Sequence, residues 1–334
     1  MERGFFARVN GGSLEPIISA SLDWIGWRDK IRSDSVVFVK PNFTLPKFRP
    51  GLVTSPQLQS TLLPLLKSRA SRLLLVESDV PIFRTATALQ GLGIDRICRD
   101  SGTETIELSR NERARVSARV GRRNVRLSLP RIILEEVDVV VNAAVPKCHV
   151  VTGMSGAMKN FYGLIPDPYK YRHYINRALV AVNKIVPSDL VVKDCLYSLA
   201  GRGPILGFLV KTQAIIAAEN AVVADLIVCR IFEMNPSRVG HLKLAMKEKM
   251  GPGNLASIEM NLAIDASIKL RPERAVMDYF AVLTFKSRIL NMMIMQSPLT
   301  ALSYQFLRPL RSTGERKPYR DDIGTLPKSQ FKRS

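Results

Sequence analysis

Residues 137–144 form a short, β-branched run that is nearly free of charge. That is the composition of a strand covered on both faces within a parallel sheet. Reactive side chains crowd its C-terminal end. Between Val139 and Pro166 lie two lysines, a histidine, a cysteine, two asparagines and three glycines. In open α/β sheets ligands gather beyond the strand ends, where the next loop and helix N-terminus turn backbone N–H groups toward a crevice.

The rest of the chain repeats the pattern. Strand-like runs recur at residues 36–40, 72–77, 137–142, 190–193 and 213–218. Helix-like segments lie between several of them: residues 56–68 after the cap residue Ser55, residues 84–99, and residues 174–185. The alternation predicts an α/β fold with a mostly parallel, doubly covered sheet. Residues 110–131 hold eight arginines against one acid, Glu112, and their apolar positions alternate about a turn at residues 121–124. This adds a β-hairpin with one wet, arginine-rich face. A helical C-terminal extension completes the expected architecture. The α/β domain is placed at residues 1–275, an apolar helical extension at 276–311, and a basic, disordered tail at 312–334.

Within that extension, residues 289–307 form a charge-free run of near-spanning length, but Pro298 breaks it and six polar residues interrupt it. Two short amphipathic helices fit better than a membrane span, either capping the core or lying on a membrane surface between basic flanks. The N-terminus lacks an apolar segment ahead of a cleavage site, and a cytoplasmic protein, peripheral to the membrane at most, is the expectation. Four scattered cysteines with no C-x-x-C pair and three histidines without companion ligands argue against zinc, any other metal site and an iron–sulfur cluster. No other cofactor is indicated. Lysine and arginine exceed the acids by 20, at 49 against 29, which favours phosphates, nucleic acid or anionic lipid as nonspecific partners. Oligomeric state is left open.

Candidate ligand groups sit at the strand ends. Lys40 and Asn42 flank Pro41 after the first strand, and Lys147, Cys148 and His149 come after Pro146 at the end of the central one. The small-residue loop 152–156, with Thr152, Gly153 and Ser155, offers amides to an anion, and Lys159 and Asn160 stand in the first turn of the next helix. His149 is the candidate acid/base, because imidazole titrates near neutrality and adjacent cations lower its pKa. The neighbouring Lys147 can favour a Cys148 thiolate, although a buried strand end favours simple packing. Asp194 ends the strand 190–193, and Asp225 comes after four apolar residues, so either carboxylate can orient a lysine, serve as a cap, or meet a buried base.

These landmarks, in this order, resemble the domain-of-unknown-function 362 family, a widespread prokaryotic group. The matching pieces are VVFVKPN at 36–42, TSPQ at 54–57, VNAAVPKCH at 141–149, GAMKNFYGLIP at 156–166, His173, VVKD at 191–194, GRGP at 201–204 and the run ending at Asp225. The resemblance implies an α/β protein with Lys40, Asn42, Lys147, His149, Lys159, Asn160, Asp194 and Asp225 as motif residues. It implies no reaction. Some relatives carry a ferredoxin-like segment with paired C-x-x-C motifs, absent here. Glu219-Asn220 stands where the family's final motif has an Asp, and Cys148 where a small polar residue is common.

Two functions compete. In the first the chain is an enzyme acting on an anionic small molecule, with Lys40, Lys147 and Lys159 holding carboxylate or phosphate, His149 moving the proton, and Asp194 or Asp225 orienting it. In the second it is a non-catalytic binding or redox-accessory protein that uses the same crevice, or its basic faces at nucleic acid or membrane.

Overall fold

The computed structural model describes residues 1–79, 84–264 and 268–295. The tail 312–334 and the part of the extension from residue 296 onward lie outside the described residues. Twelve strands are formed by the described residues: β1 Glu2–Arg8, β2 Val36–Lys40, β3 Arg72–Glu77, β4 Glu104–Glu107, β5 Arg113–Val120, β6 Arg123–Pro130, β7 Val139–Ala144, β8 Lys147–His149, β9 Gly153–Ser155, β10 Leu190–Ala200, β11 Phe208–Ala218 and β12 Ile258–Met260. The main sheet runs β12-β1-β11-β10-β7-β2-β3-β4, with β8 joined to β10 and β9 to β8. Pairing is parallel from β10 through β4 and between β1 and β12. It is antiparallel where β11 meets β10 and β1.

The period-2 alternation of the strands divides the core between two faces. Phe38, Leu74, Val76, Val140, Ala144 and Val191 join one apolar cluster, and their neighbours Val37, Val39, Leu73, Leu75, Val139, Val141 and Val192 join the other. Helices Glu15–Trp24 and Pro56–Lys67 cover the second face, while Ile175–Ile185 and Ala221–Ile231 cover the first. The mostly parallel, doubly covered sheet is therefore present. Ser55 caps its helix by accepting from the Leu58 N–H at 3.1 Å, ahead of Pro56.

Some boundaries differ from those the sequence predicts. Residues 84–99 do not form one helix: Thr85–Gly91 and Ile94–Asp100 are separated at Gly93, whose φ is 67°, a left-handed conformation that stops the first helix. The strand at 190–193 continues to Ala200 because β11 pairs along its length across a bulge near Cys195. The hairpin β5–β6 forms as expected. Gly121, with φ 61°, turns the chain between Val120 and Arg123, while Val120, Val125, Leu127 and Leu129 are buried and Arg115, Arg119 and Arg126 face outward.

The helical extension begins at Val276–Lys286 and Arg288–Met295, and Asp278 of the first helix holds Arg202 at 2.6 Å. No helix of the described residues is long and apolar enough to cross a membrane.

Candidate functional site

The C-terminal ends of β2, β3 and β7 border a junction of buried polar groups. Lys40, at the end of β2, gives its ammonium to Glu77 of β3 at 2.6 Å and to the Pro41 carbonyl at 2.8 Å. Glu77 also accepts from the Phe43 and Ser78 N–H groups. The Asn160 amide donates to the Lys40 carbonyl and to Asn142 Oδ1, and the Asn42 N–H donates to Thr54 Oγ1 at 2.8 Å. Lys40 and Asn160 thus commit these groups to the strand ends and the helix above them.

The remaining cations are differently placed. Lys147 and His149 stand two residues apart on β8, hence on one side of it, and the tight β8–β9 pair returns the chain to the helix Ala157–Asn160, which carries Lys159. The Lys147 ammonium is 1 % exposed and donates to the Leu52 carbonyl at 2.6 Å. Burial, with Lys159 nearby, pulls its pKa down to about 7. Lys159 is partly exposed, and burial together with Arg172 brings it to about 8. Neither lysine has a carboxylate partner among the described residues. His149 is held well below the ordinary imidazole value by burial and by Lys159, Lys147 and His241.

The ring of His149 has a defined role in this arrangement. Its Nδ1 accepts from the Val151 N–H at 3.1 Å and the Thr152 N–H at 3.3 Å. In the neutral ring the proton therefore resides on Nε2. The imidazole offers a donor to an anion and has no free lone pair with which to act as a base.

The amides expected to cradle an anion are already engaged. Residues 153–155 form β9 instead of an open loop, and Thr152 Oγ1 donates to the Met154 carbonyl. Beyond Ser155, the first amides of the helix, Ala157 N–H and Met158 N–H, donate to Asp225 at 2.7 and 3.2 Å. Asp225 is completely buried and also pairs with the completely buried Lys193. The protein supplies its own carboxylate to this helix N-terminus. Gly156 permits the approach, since a Cβ there would collide with Asp225 Oδ1.

Asp194 lies on the other face of the sheet from Lys193, as alternation along β10 requires. There its carboxylate accepts from the Ser55 N–H at 2.7 Å and the Leu196 N–H at 3.3 Å, and burial raises its pKa. It lines a separate, mostly apolar cleft of about 320 Å³ with Ser55, Gln57 and Tyr197. Lys159 is thus near enough to Lys147 and His149 to lower the pKa of both, while Asp194 and Asp225 serve as backbone caps. The Cys148 thiol is buried and pushed up to about 12, which removes the thiolate and leaves the packing role.

Sequence reasoning missed a second basic feature. A cleft of about 550 Å³ opens beside Val151, between the segment Pro168–Tyr174, the first turns of Ile175–Ile185 and Gly240–Lys247, and the end of Val276–Lys286. Its residues come from four distant parts of the chain, so no local spacing announces it. His241, buried beside this region, is lowered to about 4, chiefly by desolvation.

The family model described as "Domain of unknown function (DUF362)" matches residues 37–230. A thylakoid-associated protein of Synechocystis sp. is 23% identical over 125 residues, covering 35% of this chain and 38% of the relative. The chain thus spans under two-fifths of the length of that curated relative. A crystal structure of a protein from Thermotoga maritima aligns with a TM-score of 0.36 and 15% identity, covering 56% of this chain and 51% of the other.

Proposed function

The chain belongs to the DUF362 family, a membership that brings no reaction with it, and from that premise we propose that it binds a small carboxylate or phosphate anion at Lys147, His149 and Lys159. One observation carries this reading: Lys147 and His149 share one side of β8, Lys159 follows on the next helix near enough to lower both, and no carboxylate among the described residues neutralises either lysine. Unpaired buried cations cost stability, and an anionic ligand offsets that cost. Lys147, with a pKa of about 7, is the group suited to exchange a proton with a bound substrate. His149 then orients the anion as a donor. An enzymatic step on an anionic metabolite thus centres on Lys147.

The lysines set the pH dependence. An anion stabilises their charged forms, so binding takes up protons above pH 7 and affinity falls as pH rises through about 7 and about 8. Titration calorimetry with malonate and inorganic phosphate at constant ionic strength should show roughly a tenfold loss per pH unit for each proton taken up. Lys159→Gln should weaken binding and flatten the dependence. Affinity that is constant from pH 6 to 9 would reject the reading.

A second reading rests on the outer face and the turn end of β5–β6. Arg115, Arg122, Arg123 and Arg126 are exposed and have no acidic partner among the described residues, an arrangement suited to nonspecific contact with nucleic acid phosphates. If DNA binds there, changing all four to Gln should reduce the slope of log affinity against log salt by about 3.6. An unchanged slope excludes the hairpin.

A further inference from the structure

The larger cleft is lined by Arg172, His173, Arg177, Lys243, Lys247 and Lys286, with no acidic residue in its wall among the described residues. Its volume of about 550 Å³ lies within the range of small-molecule sites. Five permanent cations around one concavity repel one another in the absence of a counter-charge.

Three further features point inward. First, buried polar atoms there lack partners: Arg172 Nη1, His173 Nδ1 and Asn176 Oδ1. Second, the guanidinium of Arg172 lies 4.5 Å above the Phe285 ring, which fixes its plane in the cleft wall. Third, two helices begin at the cleft, through Ile175, Asn176 and Arg177 on one side and Gly240 on the other. Neither start has a side-chain cap, and although the Ile175 N–H already donates to the Arg172 carbonyl, the two helix dipoles add positive potential to the same space. Gly240 lets the second helix approach closely, because a Cβ would collide with the Asn176 amide. Tyr174, Leu244 and Val151 supply an apolar wall.

From this geometry we infer that the cleft binds the phosphate groups of a multiply charged phosphate ester, with the organic part against Tyr174 and Leu244. A single carboxylate would leave most of the cations unanswered, whereas a diphosphate or a bisphosphorylated molecule engages several at once. Arg172 and Arg177 suit the forked geometry of phosphate oxygens, and the lysines act as point charges. This site is distinct from the Lys147, His149 and Lys159 group, with which it shares only the proximity of Val151 and Arg172.

The test uses the full chain and inorganic pyrophosphate, titrated calorimetrically at fixed ionic strength. Arg177, Lys243 and Lys247 are exposed, so changing all three to Gln together leaves the core intact. That triple variant should weaken pyrophosphate binding at the cleft at least about tenfold, while the four-arginine hairpin variant leaves it unchanged and Lys147→Met removes only the separate contribution of the inner group. A parallel arm with phosphatidylglycerol vesicles identifies the source of the phosphate. Vesicle binding that is sensitive to the triple variant, without pyrophosphate binding, makes the ligand a surface of singly charged lipid headgroups and overturns the multiply charged ester. Pyrophosphate binding that survives the triple variant, or is lost in Lys147→Met instead, overturns the inference. Absence of binding to both probes at millimolar concentration overturns it as well.

Discussion

Asp225→Asn is expected to lower the stability of the full chain by about 3–5 kcal/mol, the cost of leaving a buried charge without its partner. Lys193 and Asp225 are both completely buried, so neither can turn to water when the other is removed. The substitution also sets an amide nitrogen against one of the Ala157 and Met158 N–H groups, which now donate to separate carboxylate oxygens. Adding Lys193→Met to Asp225→Asn should recover the part that belongs to the unpaired ammonium, and the remaining loss measures the helix cap. Urea denaturation of the three variants provides the comparison. An Asp225→Asn protein within about 1 kcal/mol of the parent, the order of magnitude of an ordinary substitution, would mean that this carboxylate does not close the helix.

Lys147→Met should move stability in the opposite direction. The folded environment lowers the Lys147 pKa from 10.5 to about 7, so between those values the unfolded chain holds a proton that the folded chain releases. Parent stability therefore rises with pH across that window. The gain from Met is largest at pH 7 and below, on the order of 2–4 kcal/mol, and fades toward pH 10. The Leu52 carbonyl keeps a partner, since Thr44 Oγ1 donates to it at 2.9 Å. Anion binding at the inner group should fall at least about tenfold in the same variant, in line with the loss of one charge-assisted hydrogen bond. Thermal denaturation from pH 6 to 10 reads the first effect and calorimetry the second. A variant destabilised at pH 6 would show that the ammonium is well accommodated and needs no ligand.

These opposite signs illustrate what was legible in the chain. The uncharged β-branched run at β7 and the polar residues after it located the crevice, because a doubly covered strand must end where polar groups begin. The hairpin was legible for the same reason, its apolar residues alternating about Gly121. Residue type did not reveal which polar groups were already satisfied. Lys40 and Lys159 look alike in sequence, yet Glu77 neutralises the first and no carboxylate of the described residues meets the second. Asp225 reaches the helix at Ala157 from 68 residues away, a distance at which spacing carries no information. The tautomer of His149 likewise depends on two amides positioned by the β8–β9 turn. The break at Gly93 was signalled only by the glycine itself, which an apolar stripe running across it concealed.

The placement of β1 sets the order in which the molecule can be completed. Residues 4–8 are bonded on one side to residues 214–218 and residues 2–4 on the other to 258–260. At ribosomal speed the first of those partners is made about 10–40 s after β1 itself. Throughout that interval the amino-terminal segment, including Phe5 and Phe6, has no sheet to join. The parallel strands β2, β3, β4 and β7 can assemble meanwhile, so β1 is made before them and locked after them. Nascent chains halted before residue 214 should accordingly leave that segment open to protease, and chains carried past residue 260 should protect it.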